Sequence, residues 1–274
     1  MKKPDVNFTK PSQQQLNSLL ELYQAGRYVD VEKLATSITQ EFPQHPFAWK
    51  VLGAVLKQMG KINESLIACQ KVIKLDPQDT EVRNNLGIIL QELGRLKEAE
   101  ANYRQAITLK PDYAEAHNNL GNTLKQLGRL NEAEISLRQA IVLKSDFAEA
   151  HYNLGNMLLA QRRLKEAEIS LRQAITLKPD LAEAHNNLGN TLKQLGRLDE
   201  AEANYRQAII LKPDYAEAHN NLGNTLKQLG RLNEAEISLR QAITLKADYA
   251  VVHNNLGNTL RELGRSDEAE ASYR

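Results

Sequence analysis

One short phrase recurs through this chain at a fixed interval and leaves few folds open to it. His117, His151, His185, His219 and His253 stand 34 residues apart, and Asn-Leu-Gly begins two residues after each of them. A fixed period of this length implies a solenoid, in which each unit buries its apolar face only against its neighbours. A single compact core of 274 residues would be near its size limit, whereas a stack grows along one axis and escapes it. The units start at Ser12, Pro46, Thr80, Ala114, Ala148, Ala182, Ala216 and Ala250, and the last is cut short at Arg274. Residues 1–11, with Pro4 and Pro11 and no apolar periodicity, read as a disordered tail ahead of one continuous domain over residues 12–274.

The unit from Ala114 predicts two helices. Asp112 and Glu115 have the spacing of a D-x-x-E capping box, which starts the first helix just after Asp112. Gly128 supplies the left-handed residue that ends it near Leu127. Asn131 and Glu134 have the same box spacing ahead of Ile135, Leu137, Ala140, Ile141 and Leu143, the apolar face of a second helix. In sister units Pro111, Pro179 and Pro213 stop that helix. Every glycine falls inside the first helix, as Gly121 does, or at its end, as Gly128 does. A mid-helix glycine costs about 1 kcal/mol against alanine, so its repetition calls for close approach of the partner helix, with Ala133 and Ala140 as the matching small residues.

The order of His117, Leu120, Gly121, Leu124, Ala133, Leu137 (or Tyr103), Ala140 and a closing proline resembles the tetratricopeptide repeat, over nearly the whole chain from Ser12. The resemblance implies an all-α, right-handed superhelical solenoid of antiparallel helix pairs, with the first helices lining a concave groove. The family's usual tryptophan survives only as Trp49; the later units carry histidine. Five regularly placed imidazoles could be metal ligands, but helices pack about 8–10 Å apart while zinc ligands sit about 2 Å from the metal. Packing histidines are the better reading, and no metal or cofactor is expected. Arg162 replaces a helix-ending glycine, so its turn is expected to relax or the helix to run on. Ser145 and Ala247 replace the closing proline, and those junctions are expected to be less sharply defined.

The side of the first helix opposite His117, Leu120 and Leu124 carries Glu115, Asn119, Asn122 and Gln126, flanked by Asn118 and Lys125. Along the array this gives one row of Asn85, Asn119, Asn153, Asn187, Asn221 and Asn255, and a second of Asn122, Asn156, Asn190, Asn224 and Asn258. Asparagine is a poor helix former, and its amide can pair with the N–H and C=O of an extended peptide. Lys125, Lys193 and Lys227 against Glu115, Glu183 and Glu217 would tune which charges are welcome. Two readings stand: a peptide-gripping ladder, or one neutral asparagine copied by recent duplication, since the units from Ala114 and Ala216 are almost identical. A similar ladder belongs to the repeat arrays of O-linked N-acetylglucosamine transferase and of kinesin light chains. The basic carboxylate clamp of some tetratricopeptide domains is absent, because Asn118, Asn119 and Glu115 occupy its positions.

Thirty-five basic against 34 acidic residues, interleaved, argue against nucleic acid or an anionic membrane as partner. Cys69 is the only cysteine, and no segment has the apolar length of a leader or a membrane span, so a cytoplasmic protein is expected. No phosphate-cradling loop, nucleophile–base pair or carboxylate pair survives the helix register, and no enzyme activity is assigned. The reading is a scaffold that binds an extended segment of another protein; the alternative is a substrate-recruiting arm of a larger enzyme, such as a glycosyltransferase. Because the last unit lacks a polar capping helix, self-association through that end is also expected as a competing outcome.

Overall fold

A computed structural model describes residues Lys10 to Tyr273; most of the expected N-terminal tail, residues 1–9, lies outside the described residues. The chain divides into two compact units, residues 1–143 and 144–274. The first contains α1 (Gln13–Gln24), α2 (Tyr28–Glu41), α3 (Pro46–Gln58), α4 (Ile62–Leu75), α5 (Thr80–Glu92), α6 (Leu96–Leu109), α7 (Ala114–Gln126) and α8 (Leu130–Leu143). The second contains α9 (Ala148–Ala160), α10 (Leu164–Leu177), α11 (Ala182–Gln194), α12 (Leu198–Leu211), α13 (Ala216–Gln228), α14 (Leu232–Leu245), α15 (Ala250–Glu262) and α16 (Ser266–Tyr273). No strand occurs among the described residues.

Within each unit every odd helix packs against the even helix that follows it, and that helix against the next odd one. Odd helices also meet one another, as α5 does α7 and α11 does α9 and α13, while even helices stay further apart. The odd helices therefore line the inner side of each stack. The turn inside each pair is closed by a left-handed glycine: Gly128 has φ 77°, its N–H bonds Lys125 O at 3.0 Å, and Arg129 N–H bonds Leu124 O at 2.9 Å. Arg162 keeps this geometry at φ 59°, with its N–H on Leu159 O and Arg163 N–H on Leu158 O, both at 3.0 Å. The expectation of a relaxed turn or a longer helix is therefore corrected. Closure of the pair outweighs a local cost of about 1–2 kcal/mol.

The mid-helix glycine is explained by packing. A Cβ on Gly121 would lie 2.6 Å from Leu137 Cγ and 3.1 Å from Ala133 O, so the second helix sits directly on its backbone. Neither predicted capping box forms. The residue capping α7 is Tyr113, with no side-chain cap bond, and Asn131 falls inside α8 rather than before it. Only α5 uses aspartate at this register, where Asp79 Oδ1 accepts from Val82 N at 2.9 Å. In α7, α9, α13 and α15 the position holds a ring and in α11 Leu181, and Lys110 lies 5.1 Å from the centre of Tyr113. Ile135, expected in the apolar face, is 70% exposed, while Leu137 and Ala140 are buried.

The helix ends do not depend on proline. α8 and α14 stop at Leu143 and Leu245, the same unit position as the proline-closed helices, although Ser145 and Ala247 follow. The junction is instead held by a long-side-chain donor. His117, His185 and His219 place Nε2 3.1 Å from the carbonyls of Pro111, Pro179 and Pro213; His151 and His253 reach those of Ser145 and Ala247 at 3.1 and 2.8 Å. A carbonyl can only accept, so Nε2 carries the proton. Trp49 Nε1–H bonds Pro43 O at 3.0 Å, and Arg83 Nε–H bonds Pro77 O at 3.0 Å. Three different side chains thus make one bond, which explains how histidine replaces tryptophan without altering the unit.

Candidate protein-interaction surface

The inner face of the odd helices carries both asparagine rows. In the first row each rung is a bond between successive odd helices. Asn119 Nδ2 donates to Asn84 Oδ1 at 3.0 Å, Asn221 to Asn186 at 3.0 Å, Asn255 to Asn220 at 2.8 Å and Asn187 to Tyr152 Oη at 3.4 Å. The acceptors are buried: Asn186 is 0% exposed, Asn84 5% and Asn220 6%. The sequence reading placed Asn118 and its equivalents at the flank; they are the buried half of the ladder. Asn153 is half-buried on the same face. Asn85 lacks such a bond, because its neighbour is Lys50 instead of asparagine.

In the second row, Asn190 and Asn258 meet the even helices. Tyr205, its ring fully buried, reaches under Gly189 and donates its Oη–H to Asn190 Oδ1 at 2.8 Å; Tyr273 does the same to Asn258 at 3.0 Å. In the unit from Thr80, where Ile88 occupies the row, Gln91 accepts from Tyr103 Oη at 3.3 Å and from Thr123 Oγ1 at 3.0 Å. Burial pushes the Tyr103 and Tyr205 phenols well up, so they donate and do not ionise. Asn224 Nδ2 donates to Asn220 Oδ1 at 3.3 Å. Asn122 and Asn156, opposite leucines, are half-exposed and make no side-chain hydrogen bond among the described residues.

Charge on this face is uneven. Lys57 and Lys227 reach Glu92 at 3.6 Å and Glu262 at 3.2 Å on the next odd helix. Lys193 faces Gln228 at that register and makes no ion pair among the described residues, and neither does Lys125. Burial pushes both ammonium groups below the ordinary lysine value, with Lys227 adding to the effect at Lys193. Of the carboxylates expected to oppose these lysines, Glu183 pairs with Lys212 at 3.2 Å and Glu217 accepts from Asn186 at 3.1 Å.

The outer side is tied by rings of two arginines and two glutamates, which the sequence reading missed. Arg129 reaches Glu100 at 2.7 Å and Glu132 at 2.6 Å, and Arg104 reaches the same two at 2.8 and 3.0 Å. Burial alone would push the Glu100 carboxyl up, but bonds from Arg104 and Arg129 outweigh it and hold it below the usual range. The signal was present as Arg129-x-x-Glu132 in a position read as a capping box on Asn131.

No group of three or more His, Cys, Asp or Glu among the described residues is placed to hold a metal ion. Cys69 is buried, and burial pushes its thiol up to about 11, which makes it a poor nucleophile. No helix of the described residues is long and apolar enough to cross a membrane.

A family described as "TPR repeat" matches residues 89–128, 121–162, 155–196 and 189–230, and one described as "Tetratricopeptide repeat" matches 48–79, 216–249 and 250–274. No curated protein matches the sequence. Among solved structures, Cut9 in the APC/C hetero-tetramer Cut9-Hcn1 aligns with a TM-score of 0.76 at 18% identity over 91% of this chain. This chain spans only 49% of that one. YrrB, described as a TPR protein with an unusual peptide-binding site, aligns at 0.56 and 26% identity, over 68% of this chain and 95% of its own. A MamA protein aligns at 0.55 and 28% identity, over 62% and 94%.

Proposed function

The chain belongs to the tetratricopeptide-repeat family, whose members are protein-interaction scaffolds, and from that premise we propose that it binds an extended acidic peptide segment along the inner face of its odd helices. The observation that carries this reading is a half-buried lysine on the inner face of each compact unit, Lys125 in the first and Lys193 in the second, each without a counter-charge among asparagine amides. A desolvated cation without a partner is costly, and a ligand carboxylate would relieve that cost.

The ladder's internal bonds refine the role of the asparagines. Each amide has two donor hydrogens and an acceptor oxygen, and a rung to the neighbouring helix uses only part of that capacity. The remaining groups of Asn187, Asn190, Asn221 and Asn224 can meet main-chain N–H and C=O of a ligand. The rungs themselves fix the spacing of the helices, so a ligand meets a face already ordered, and association costs less entropy. The peptide-binding site described for YrrB supports the reading by likeness alone.

The test is a fluorescence-anisotropy titration of the full chain against a library of extended peptides sorted by net charge. Acidic peptides should bind tighter than basic ones, and Lys193→Gln should weaken them by about fivefold, the scale of one partly desolvated charged hydrogen bond. Equal binding of acidic and basic peptides, or no effect of Lys193→Gln, would sink the proposal.

A further inference from the structure

The unit from Pro46 breaks the packing rule that the units after it keep. Where α6, α8, α10, α12 and α14 bring Tyr103, Leu137, Leu171, Tyr205 and Leu239 onto a mid-helix glycine, α4 carries Cys69. A Cβ on Gly53 would lie 3.0 Å from Cys69 Sγ, against 2.5 Å from the Tyr103 ring at Gly87. The missing volume appears as a cavity of about 210 Å³ among α1, α3, α4 and α5. Gly53, Ala54, Cys69, Val82 and Ile89 form its apolar side, and Lys50, Lys57, Gln58, Ser65, Glu81 and Asn85 its polar side. α3 and α5 do not approach each other as α5 and α7 do, so the cavity opens on the inner face.

A second departure falls on the same spot. Lys50 occupies the position that Asn84, Asn186 and Asn220 hold in later units, and it pairs with Asp79 at 3.0 Å and Glu81 at 2.6 Å. Asn85, the first residue of the ladder, is left without a hydrogen-bond partner among the described residues, and its side chain lines the cavity. The two lysines of the rim, Lys50 and Lys57, both have carboxylate partners, so the opening offers no unpaired cation.

We propose that this cavity is a subsite for one large apolar residue, leucine or phenylalanine, of an extended peptide: the side chain fills the space vacated at Cys69, and the Asn85 amide bonds that residue's main-chain amide. The subsite rests on the reading of the inner face as a peptide groove. Size agrees, since an apolar cavity of about 150 Å³ holds a benzene molecule, and 210 Å³ leaves room for a branched or aromatic side chain. Cys69 contributes shape and not chemistry, because its thiol stays protonated. The rim, where Lys50 and Lys57 are both paired, distinguishes this position from the surroundings of the unpaired Lys125 in the same compact unit.

The experiment titrates the isotope-labelled full chain with the N-acetyl methylamides of leucine, phenylalanine and glycine, followed by amide NMR. The leucine and phenylalanine probes should shift Gly53 and Asn85 saturably and bind about tenfold tighter than the glycine probe, the scale of burying a few methylenes. Cys69→Tyr, which copies the unit from Thr80, should abolish that preference while glycine-probe shifts at Asn187 and Asn221 persist. Cys69→Leu, which copies the unit from Ala114, serves if tyrosine disturbs the fold. Equal binding of all three probes, or leucine binding retained in a folded filled variant, overturns the subsite. Leucine binding at Gly53 with no glycine-probe shift at Asn187 or Asn221 overturns the peptide reading on which it rests.

Discussion

The two compact units solve the same stacking problem with different chemistry. In residues 144–274 the solution is periodic: three four-membered charge rings, Glu168–Arg172–Arg197–Glu200, Glu202–Arg206–Arg231–Glu234 and Glu236–Arg240–Arg265–Glu268, tie successive even helices on the outside. Asparagine rungs tie the odd helices on the inside. In residues 1–143 only the α6–α8 junction has a complete ring; at α2–α4 a single Glu32–Lys61 pair stands in, and at α4–α6 Leu66 takes the place of the glutamate. The first unit instead packs Leu19, Val31, Ile38, Val51, Leu52, Val55 and Leu56 into one aliphatic cluster. Apolar contact is non-directional and tolerates degenerate repeats, whereas a polar rung needs its partner at a fixed place. Degeneracy in the first unit therefore frees side chains such as Asn85, while near-identity in the second commits them.

The largest test of this contrast is a pair of glycine substitutions. Gly189→Ala puts a Cβ 2.6 Å from the Tyr205 ring and should cost about 3 kcal/mol by thermal unfolding. Gly53→Ala, against Cys69 Sγ, should be close to neutral, because alanine regains about 1 kcal/mol of helix propensity. Equal costs at the two sites would break the comparison.

Next in size are the ladder amides. Asn221→Ala removes the donor to buried Asn186 Oδ1 and should cost about 1–2 kcal/mol in a denaturant titration. Asn85→Ala, which removes no internal bond, should leave the midpoint in place. Arg162→Gly acts in the opposite direction. It relieves the φ 59° conformation and should stabilise the second unit by about 1 kcal/mol, seen as slower amide exchange around α9 and α10.

The smallest effect concerns acid. Burial acts to raise the Glu168 and Glu236 carboxyls, but their arginine partners outweigh it and hold them below the ordinary value. A folded value below the unfolded one gives stability that is present above the unfolded value, about 4.3, and lost as pH falls through the folded value. Amide exchange below that pH should accelerate more in residues 144–274, with three rings, than in residues 1–143, with one. A greater loss in the first unit would contradict the charge-ring account. Arg197→Ala should remove a small part of the difference, because solvent screens such exposed pairs.

Much of the fold was legible because its signals are local or strictly periodic. The 34-residue interval, the left-handed glycines and the mid-helix glycine each act within one helix pair, and the helix pairs fall where they predict. The capping boxes failed for a local reason too: Arg129 and Glu132 pair with each other, and the helix begins before Asn131. The asparagine rows were visible as composition, but their partners were not. Asn119 and Asn84 lie 35 residues apart, and only the packing of α7 beside α5 makes that separation a hydrogen bond.

The sequence by itself determined the repeat, the helix pairs, their turns and which residues share the inner face, since backbone geometry and apolar periodicity act over a few residues. Tertiary structure alone decided which of those residues are committed to neighbouring helices and which keep unused hydrogen-bonding groups. That division depends on how adjacent helices register, and a single exchange at Cys69 or Lys50 alters the space and the hydrogen bonds of residues far along the chain.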